Sequence, residues 1–220
     1  MKRLATIFIS AELLGADLGL YPAAPWAAEN LMKLASSNAF ETLIYPARWV
    51  DSAVPATNFK TGASAPNWGN FTDANIQVLQ FSKTLNNQVF GSVQLYHNYI
   101  EGTDVTPHMH VVFPTAAVGT ASTNVWTLAY SWANIGGVFP VSSSVTITNS
   151  GDRSAFQQAI LSFEPLSGTN KLISSVMCFS ITRNGGNAYD IYDDVIDLVS
   201  FDLHHQVNDV GSKTKPHASL

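Results

Sequence analysis

Two short histidine clusters carry most of the chemistry this sequence could perform. Pro107-His108-Met109-His110 opens one extended apolar stretch, and Phe201-Asp202-Leu203-His204-His205-Gln206 closes another. Side chains alternate faces along a strand, so His108 and His110 share a face. Asp202, His204 and Gln206 also share one, opposite Phe201, Leu203 and His205. If the two strands are neighbours, the stripes merge into one polar track. A one-residue slip would drive Met109 and Leu203 onto the polar side, so the register is well specified. An H-x-H pair on a strand can chelate zinc, iron, copper or nickel, since imidazole suits all four. The alternative is a polar ladder at a sheet or subunit interface, in which each imidazole finds a hydrogen-bond partner. We read His108, His110, Asp202, His204 and Gln206 as such a ladder, with no metal, no cofactor and no catalytic residue among them.

Other candidates are weaker. Asp190, Asp193, Asp194 and Asp197 form an acidic run whose oxygens could attract calcium, but its spacing lacks the glycine and terminal glutamate of an EF-hand loop. A solvated loop is the expectation there. Glu101 and Asp104 flank a turn and could be imagined as a glycosidase acid pair, although turn roles fit them better. The single cysteine, Cys178, rules out an intrachain disulfide framework and any multi-cysteine zinc site. A small buried hydrophobe is expected at that position. No G-x-S-x-G, P-loop, H-E-x-x-H or dinucleotide fingerprint occurs, and no nucleophile–base set is readable. The expectation is therefore a protein without enzymatic activity.

Charge narrows the partners. The eleven Lys and Arg are scattered over a chain of formal net charge −5, which argues against nucleic-acid binding. Charged residues make up 12% of the sequence, about half the usual globular share of roughly 25%. A neutral-polar surface partly covered by other subunits would account for this. Met1-Lys2-Arg3 before Leu4–Leu14 has a signal-like outline, but Glu12 interrupts it and no small-x-small cleavage site directly follows. No segment reaches the roughly 18 apolar residues of a membrane-spanning helix.

The elements that must position these residues are mostly strands. Residues 1–45 stand apart: loosely spaced leucines, the helix-breaking Tyr21-Pro22-Ala23-Ala24-Pro25, then a short helical pattern from Trp26 to Leu34. This segment reads as an arm that packs on its own domain or on a neighbouring subunit. Residues 46–220 read as strand after strand. Candidates run over Leu43–Val50, Ile76 to Phe81, Val89–Tyr96, Val105–Phe113, Val125–Trp132, Val145–Thr148, Ala155–Phe163, Leu172–Thr182 and Val195–Val207. Trp126, Leu128, Tyr130 and Trp132 fall on one face by period two. Thr61–Asn67 reads as a loop. Eight or nine strands without an intervening long helix predict an all-β antiparallel β-sandwich of jelly-roll type. An immunoglobulin-like sandwich is the nearest competitor. In a jelly roll the second and last strands are expected to pair, which would join the histidine stripes.

An ordered set of patches carries a resemblance. Tyr99-Ile100-Glu101-Gly102-Thr103-Asp104-Val105-Thr106-Pro107-His108-Met109-His110 resembles the "w-x-E-G-t-d-i-x-P-H-i-H-w" stretch of a family of small tailed-phage virion structural proteins. Tyr130 to Phe139, the close from Phe201-Asp202-Leu203-His204 to Val207-Asn208-Asp209-Val210-Gly211-Ser212, and Arg48-Trp49-Val50-Asp51 to Val54-Pro55 are similar to further patches of that family. The resemblance covers roughly residues 48–212. Val111 and His205 stand where the family usually has aromatics, and residues 1–45 have no counterpart. The resemblance implies a structural role in a phage virion assembled in the host cytoplasm, with the major capsid protein or other virion proteins as partners. A capsid cement or decoration protein, as a homotrimer, is the expectation. Alternatives are a tail, neck or fibre component that binds a receptor or glycan, with Trp68, Phe71 and Tyr96 as an aromatic platform if exposed, although core packing is the better expectation for each, and a cupin-like metal enzyme using the histidines. A cupin would need a His-His-Glu-His type set, and no Glu stands near His108 and His110.

Overall fold

The computed structural model describes residues 47–72 and 75–208. The chain divides into two units, Met1–Pro46 and Ala47–Leu220. The first unit, and with it the arm expected over residues 1–45, lies outside the described residues.

The second unit is all-β. Its strands are β1 (Arg48–Pro55), β2 (Lys60–Thr61), β3 (Asn67–Phe71), β4 (Ile76–Phe81), β5 (Asn86–Gln94), β6 (Thr106–Phe113), β7 (Asn124–Ala133), β8 (Ser143–Asn149), β9 (Gln157–Ser162), β10 (Val176–Asn184) and β11 (Ile196–Val207). One sheet has the order β3-β4-β11-β6-β9, with β1 also paired to β11, and the other β2-β5-β10-β7-β8. All strand pairs are antiparallel. Within these, β4-β11-β6-β9 faces β5-β10-β7-β8, the two four-stranded sheets of a jelly roll. The expected fold class is the observed one. The histidine strand β6 is the third strand of that roll rather than the second, yet it pairs with the last, β11.

Alternation along the strands fills the space between the sheets. Met109, Val111 and Phe113 of β6 point inward, as do Leu198, Phe201 and Leu203 of β11, and all six are fully buried. From the other sheet come Val89, Trp126, Leu128, Trp132, Met177, Phe179 and Ile181. Trp126 and Trp132 keep their indole N–H groups satisfied, donating to Asn124 Oδ1 at 2.8 Å and Ser175 Oγ at 2.9 Å. A buried indole without a partner would cost the sheet a desolvation penalty.

Three expectations fail. β3 occupies a segment that gave no strand signal, because Asn67-Trp68-Gly69-Asn70-Phe71 is polar and glycine-interrupted. Cys178 is exposed rather than buried. Its neighbours Met177 and Phe179 take the core side of β10, so alternation turns the thiol outward. The acidic run is not a uniformly solvated loop, since Asp190 and Asp197 are buried.

Candidate functional site

The register of β6 on β11 sets Asp202 opposite His108, Ser200 opposite His110 and His204 opposite Thr106. These side chains all leave the outward face of the sheet. His108 Nε2 lies 3.4 Å and His110 Nε2 2.9 Å from Asp202 Oδ2. Asp202 and His108 are nevertheless almost fully buried, while His110 keeps partial access to solvent. Next along β11, His204 Nδ1 meets Asp51 Oδ1 of β1 at 2.7 Å. Its ring stacks on Trp49 at 5.0 Å and an interplanar angle of 3°. The edge of the His108 ring faces His204, with ring centroids 6.1 Å apart.

The structure thus gathers His108, His110, Asp202 and His204 on one face, as alternation requires, but the bonds differ from the imidazole–amide ladder expected. The partners are carboxylates, because the register places Asp202 opposite His108, where its Oδ2 also reaches His110, and β1 brings Asp51 to His204. The one amide in the cluster comes from β9: Gln158 Nε2 lies 2.8 Å from His110 Nδ1. Gln206 sits opposite Trp49, away from the β6 histidines. His205, on the other face, is buried and bonded through Nδ1 to the Leu203 carbonyl at 2.9 Å.

Electrostatics follow from this packing. The Asp202 hydrogen bond holds His108 above the usual imidazole range, against a smaller opposing effect of burial. Burial pushes the Asp202 carboxyl up, but His108 and His110 together outweigh it and hold Asp202 below the usual carboxylate range. Burial pushes His205 down and favours its neutral form.

A second candidate lies near the opposite sheet. A groove of about 590 Å³ runs where the β1–β2 connection crosses β5. Phe90, Ser92, Gln94 and Tyr96 line it from β5 and the residues after it, and Asn58, Lys60 and Cys178 complete the polar wall. Tyr96 is 57% exposed and Phe90 39%. No Asp or Glu is among the lining residues. Of the aromatics singled out from sequence, Tyr96 lies in this groove. Trp68 is exposed on β3 in the other sheet, and Phe71 is half-buried there. Core packing was the better expectation for all three and is wrong for Trp68 and Tyr96. Phe90 was missed because it lies within a strand whose alternation says only that one face is exposed, not what covers it.

Three other acids singled out from sequence hold the backbone or a buried ion pair. Glu101 Oε1 accepts the Ile173 N–H at 2.9 Å, and Asp104 Oδ1 the Gly168 N–H at 3.0 Å. Asp190 forms a fully buried ion pair with Arg183, Nη2 to Oδ1 at 2.8 Å, a pair the sequence reading missed. Nothing in the local sequence of Arg183 marks it, since its strand reads as apolar and the acid lies in a loop.

No family model matches the sequence, and no curated protein is similar to it. Among solved structures, a cycloisomaltooligosaccharide glucanotransferase from Paenibacillus sp. is similar over 69% of this chain and 18% of its own, at 12% identity and a TM-score of 0.37. An exo-beta-1,3-galactanase from Phanerochaete chrysosporium is similar over 70% of this chain and 29% of its own, at 14% identity and a TM-score of 0.36. The chain therefore spans less than a third of either enzyme. The module CBM35 from Cellvibrio japonicus Abf62 is matched over 79% of this chain and 99% of its own, at 12% identity and a TM-score of 0.33. Likeness at such scores carries no functional argument.

Proposed function

We propose that this protein is a non-enzymatic component of a tailed-phage virion that holds a neutral glycan in the groove beside β5. The observation that carries the reading is the pairing of exposed aromatic faces, Tyr96 and Phe90, with the amides of Gln94 and Asn58 and the hydroxyl of Ser92 along one groove. A sugar ring offers an apolar face of C–H groups and an equatorial rim of hydroxyls. Aromatic side chains cover the first at low entropic cost, and planar amides with both donor and acceptor satisfy the second. The volume falls in the range of roughly 300–1,000 Å³ common for small-ligand sites. A groove lined by Lys60 and no carboxylate suits a neutral or weakly acidic sugar. It does not suit glycoside hydrolysis, which usually needs a pair of carboxyl groups flanking the bond.

The virion assignment rests on the resemblance of residues 48–212 to phage structural proteins. The groove beside β5 moves the leading expectation from capsid cement to a tail, neck or fibre component, where glycan recognition has a use. The test is titration of the purified chain with neutral host-surface polysaccharides by calorimetry. Saturable binding is expected for at least one, weakened about fivefold or more by Tyr96→Ala, since loss of a stacked aromatic removes about 1 kcal/mol or more and about 1.4 kcal/mol is tenfold. Binding that is absent throughout, or unmoved by Tyr96→Ala and Phe90→Ala, would defeat the reading.

A second reading concerns the subunit contacts of such a component. The connection between β7 and β8 exposes Ile135, Val138, Phe139 and Val141, with Val138 at 92% and Val141 at 91%. Clustered exposed apolar residues mark contact surfaces. A further copy of this chain, in a homotrimer, is the proposed cover.

A further inference from the structure

The outward face of the β6–β11 pair holds a group of side chains that hydrogen bonding alone leaves incomplete. Asp202 is 5% exposed, yet its Oδ1 has no hydrogen-bond partner among the described residues. Both histidine contacts fall on the other oxygen, Oδ2, with the Ser200 hydroxyl 3.5 Å away. A buried carboxylate oxygen without a donor carries its full desolvation cost, which a bound cation would offset. Two imidazole Nε2 atoms converge on the same carboxylate, and one candidate ligand atom from each of His108, His110 and Asp202 lies within 4.8 Å of the others. Ligands about 2.0–2.1 Å from a tetrahedral zinc ion stand roughly 3.4 Å from one another. The His108–Asp202 separation of 3.4 Å equals that spacing, and the His110–Asp202 separation of 2.9 Å would have to widen by about 0.5 Å.

We infer that His108, His110 and Asp202 form a binding site for a first-row divalent transition metal such as zinc, closing the outward face of the β6–β11 pair. Two neutral imidazoles and one carboxylate suit such ions, whereas calcium and magnesium take mostly oxygen ligands. Support from the next shell is present. Gln158 lies against His110 Nδ1 at 2.8 Å and can orient that ring. In the present arrangement the amide nitrogen donates to Nδ1; binding a metal through His110 Nε2 requires the amide to turn its oxygen towards a protonated Nδ1, which frees the Nε2 lone pair. The carboxylate, binding through one or both oxygens, gives the otherwise unpartnered atom a role. His110 opens to solvent, so an ion can enter and a water can fill a remaining position. His204 stands outside the group, its Nδ1 held by Asp51 and its face covered by Trp49. From sequence, Asp202 falls on the same polar track as His108 and His110, and the track reads as a hydrogen-bonded ladder without metal. The third ligand comes from a residue 92 positions away, brought there by the register.

The site shares no residue with the glycan groove, so either can fail alone. The full chain, stripped with a chelator and dialysed, is titrated with zinc chloride by calorimetry. Metal content is measured on the reloaded protein, and cobalt(II) serves as a spectroscopic stand-in. One zinc per chain is expected, with a raised melting temperature and cobalt absorption typical of a low-symmetry nitrogen–oxygen site. Removing an outer-shell partner costs about 10–100-fold in metal affinity, so His110→Ala should cost at least about 100-fold. His110 is partly exposed, so that variant is expected to fold, and its thermal melt in chelator checks this. Asp202→Asn should behave alike, and His204→Ala should retain binding within about tenfold. Absence of stoichiometric zinc in the wild type would overturn the site. So would retention of binding in a folded His110→Ala chain, or loss of binding in His204→Ala alone.

Discussion

At the scale of single residues, burial decides which groups titrate in an unusual range. Asp197 opens the outward side of β11 and is 1% exposed, with Gln80 of β4 donating to its Oδ1 at 3.1 Å. Burial pushes its carboxyl up to about 6, against the Gln80 hydrogen bond, with the Asp194 charge adding to the rise. A folded-state value above the unfolded one means that the folded chain binds this proton more tightly. The resulting stability is fully present below the unfolded value, near 4, and is lost as pH rises through about 6. At neutral pH the ionised carboxylate is therefore a burden of up to about 3 kcal/mol, taking about 1.4 kcal/mol per pH unit. Asp197→Asn keeps the shape and the contact with Gln80 while removing the titration. Urea unfolding at about pH 5 and about pH 8 should show the variant gaining stability over wild type at the higher pH, with a flatter pH dependence. An equal slope in both proteins would place the titration elsewhere. Asp197 also shows what sequence conceals at this scale. It sits in an acidic run with Asp190, Asp193 and Asp194, and the four look alike in sequence. Only packing separates the exposed Asp193, paired with Lys83, from the buried Asp190 and Asp197.

At the scale of elements, periodicity was the readable signal, and it placed the strands that matter for the site. Period two located β6 and β11 and correctly divided His108 and His110 from Met109, and Asp202 and His204 from Leu203 and His205. It could not locate β3, an edge strand whose Gly69 lies beneath Gln80, where any Cβ would collide with that side chain. Nor could it reveal the clamp that closes β10. Arg183 uses its guanidinium on Asp190, on the Phe81 carbonyl at the end of β4, and on the Tyr192 and Asp194 carbonyls before β11. Asp190 also accepts the Val125 N–H of β7. Breaking a buried pair from one side leaves an uncompensated charge, so Asp190→Ala should cost about 3–5 kcal/mol. Replacing both partners by apolar residues often recovers such a loss. Here it should not, because Arg183→Met with Asp190→Leu leaves three backbone carbonyls without their guanidinium donor. Denaturant midpoints of the single and double variants decide this. A double variant as stable as wild type would reduce the clamp to a simple ion pair.

At the scale of the whole molecule, the low charge read from sequence finds two different explanations in the structure. Part of the neutral surface is built of hydroxyls and amides: Ser92, Thr127, Thr146, Ser131 and Gln94 point outward from the second sheet. Such a face stays hydrated without charge. The other part is apolar and lies in the β7–β8 connection, where Val138 and Val141 leave most of their surface in solvent. Single exposed hydrophobes are ordinary, but four within seven residues of one loop ask for a cover. In a cyclic oligomer the same loop recurs around the axis, so three copies can bury it against one another without leaving an open edge. The connection is also held in shape from below: Asn134 binds the Asn170 carbonyl and the Leu172 N–H, and the Pro140 carbonyl accepts the Ser131 hydroxyl at 2.6 Å. A preorganised loop loses little entropy on docking. Val138→Asp with Val141→Asp puts like charges at the centre of such a contact and touches nothing in the core. Light scattering on the wild-type chain should report a trimer, and on the double variant a monomer with an unchanged thermal melt. A monomeric wild type would leave these residues to a different virion protein, and its density at this loop in a map of the intact particle would identify that partner.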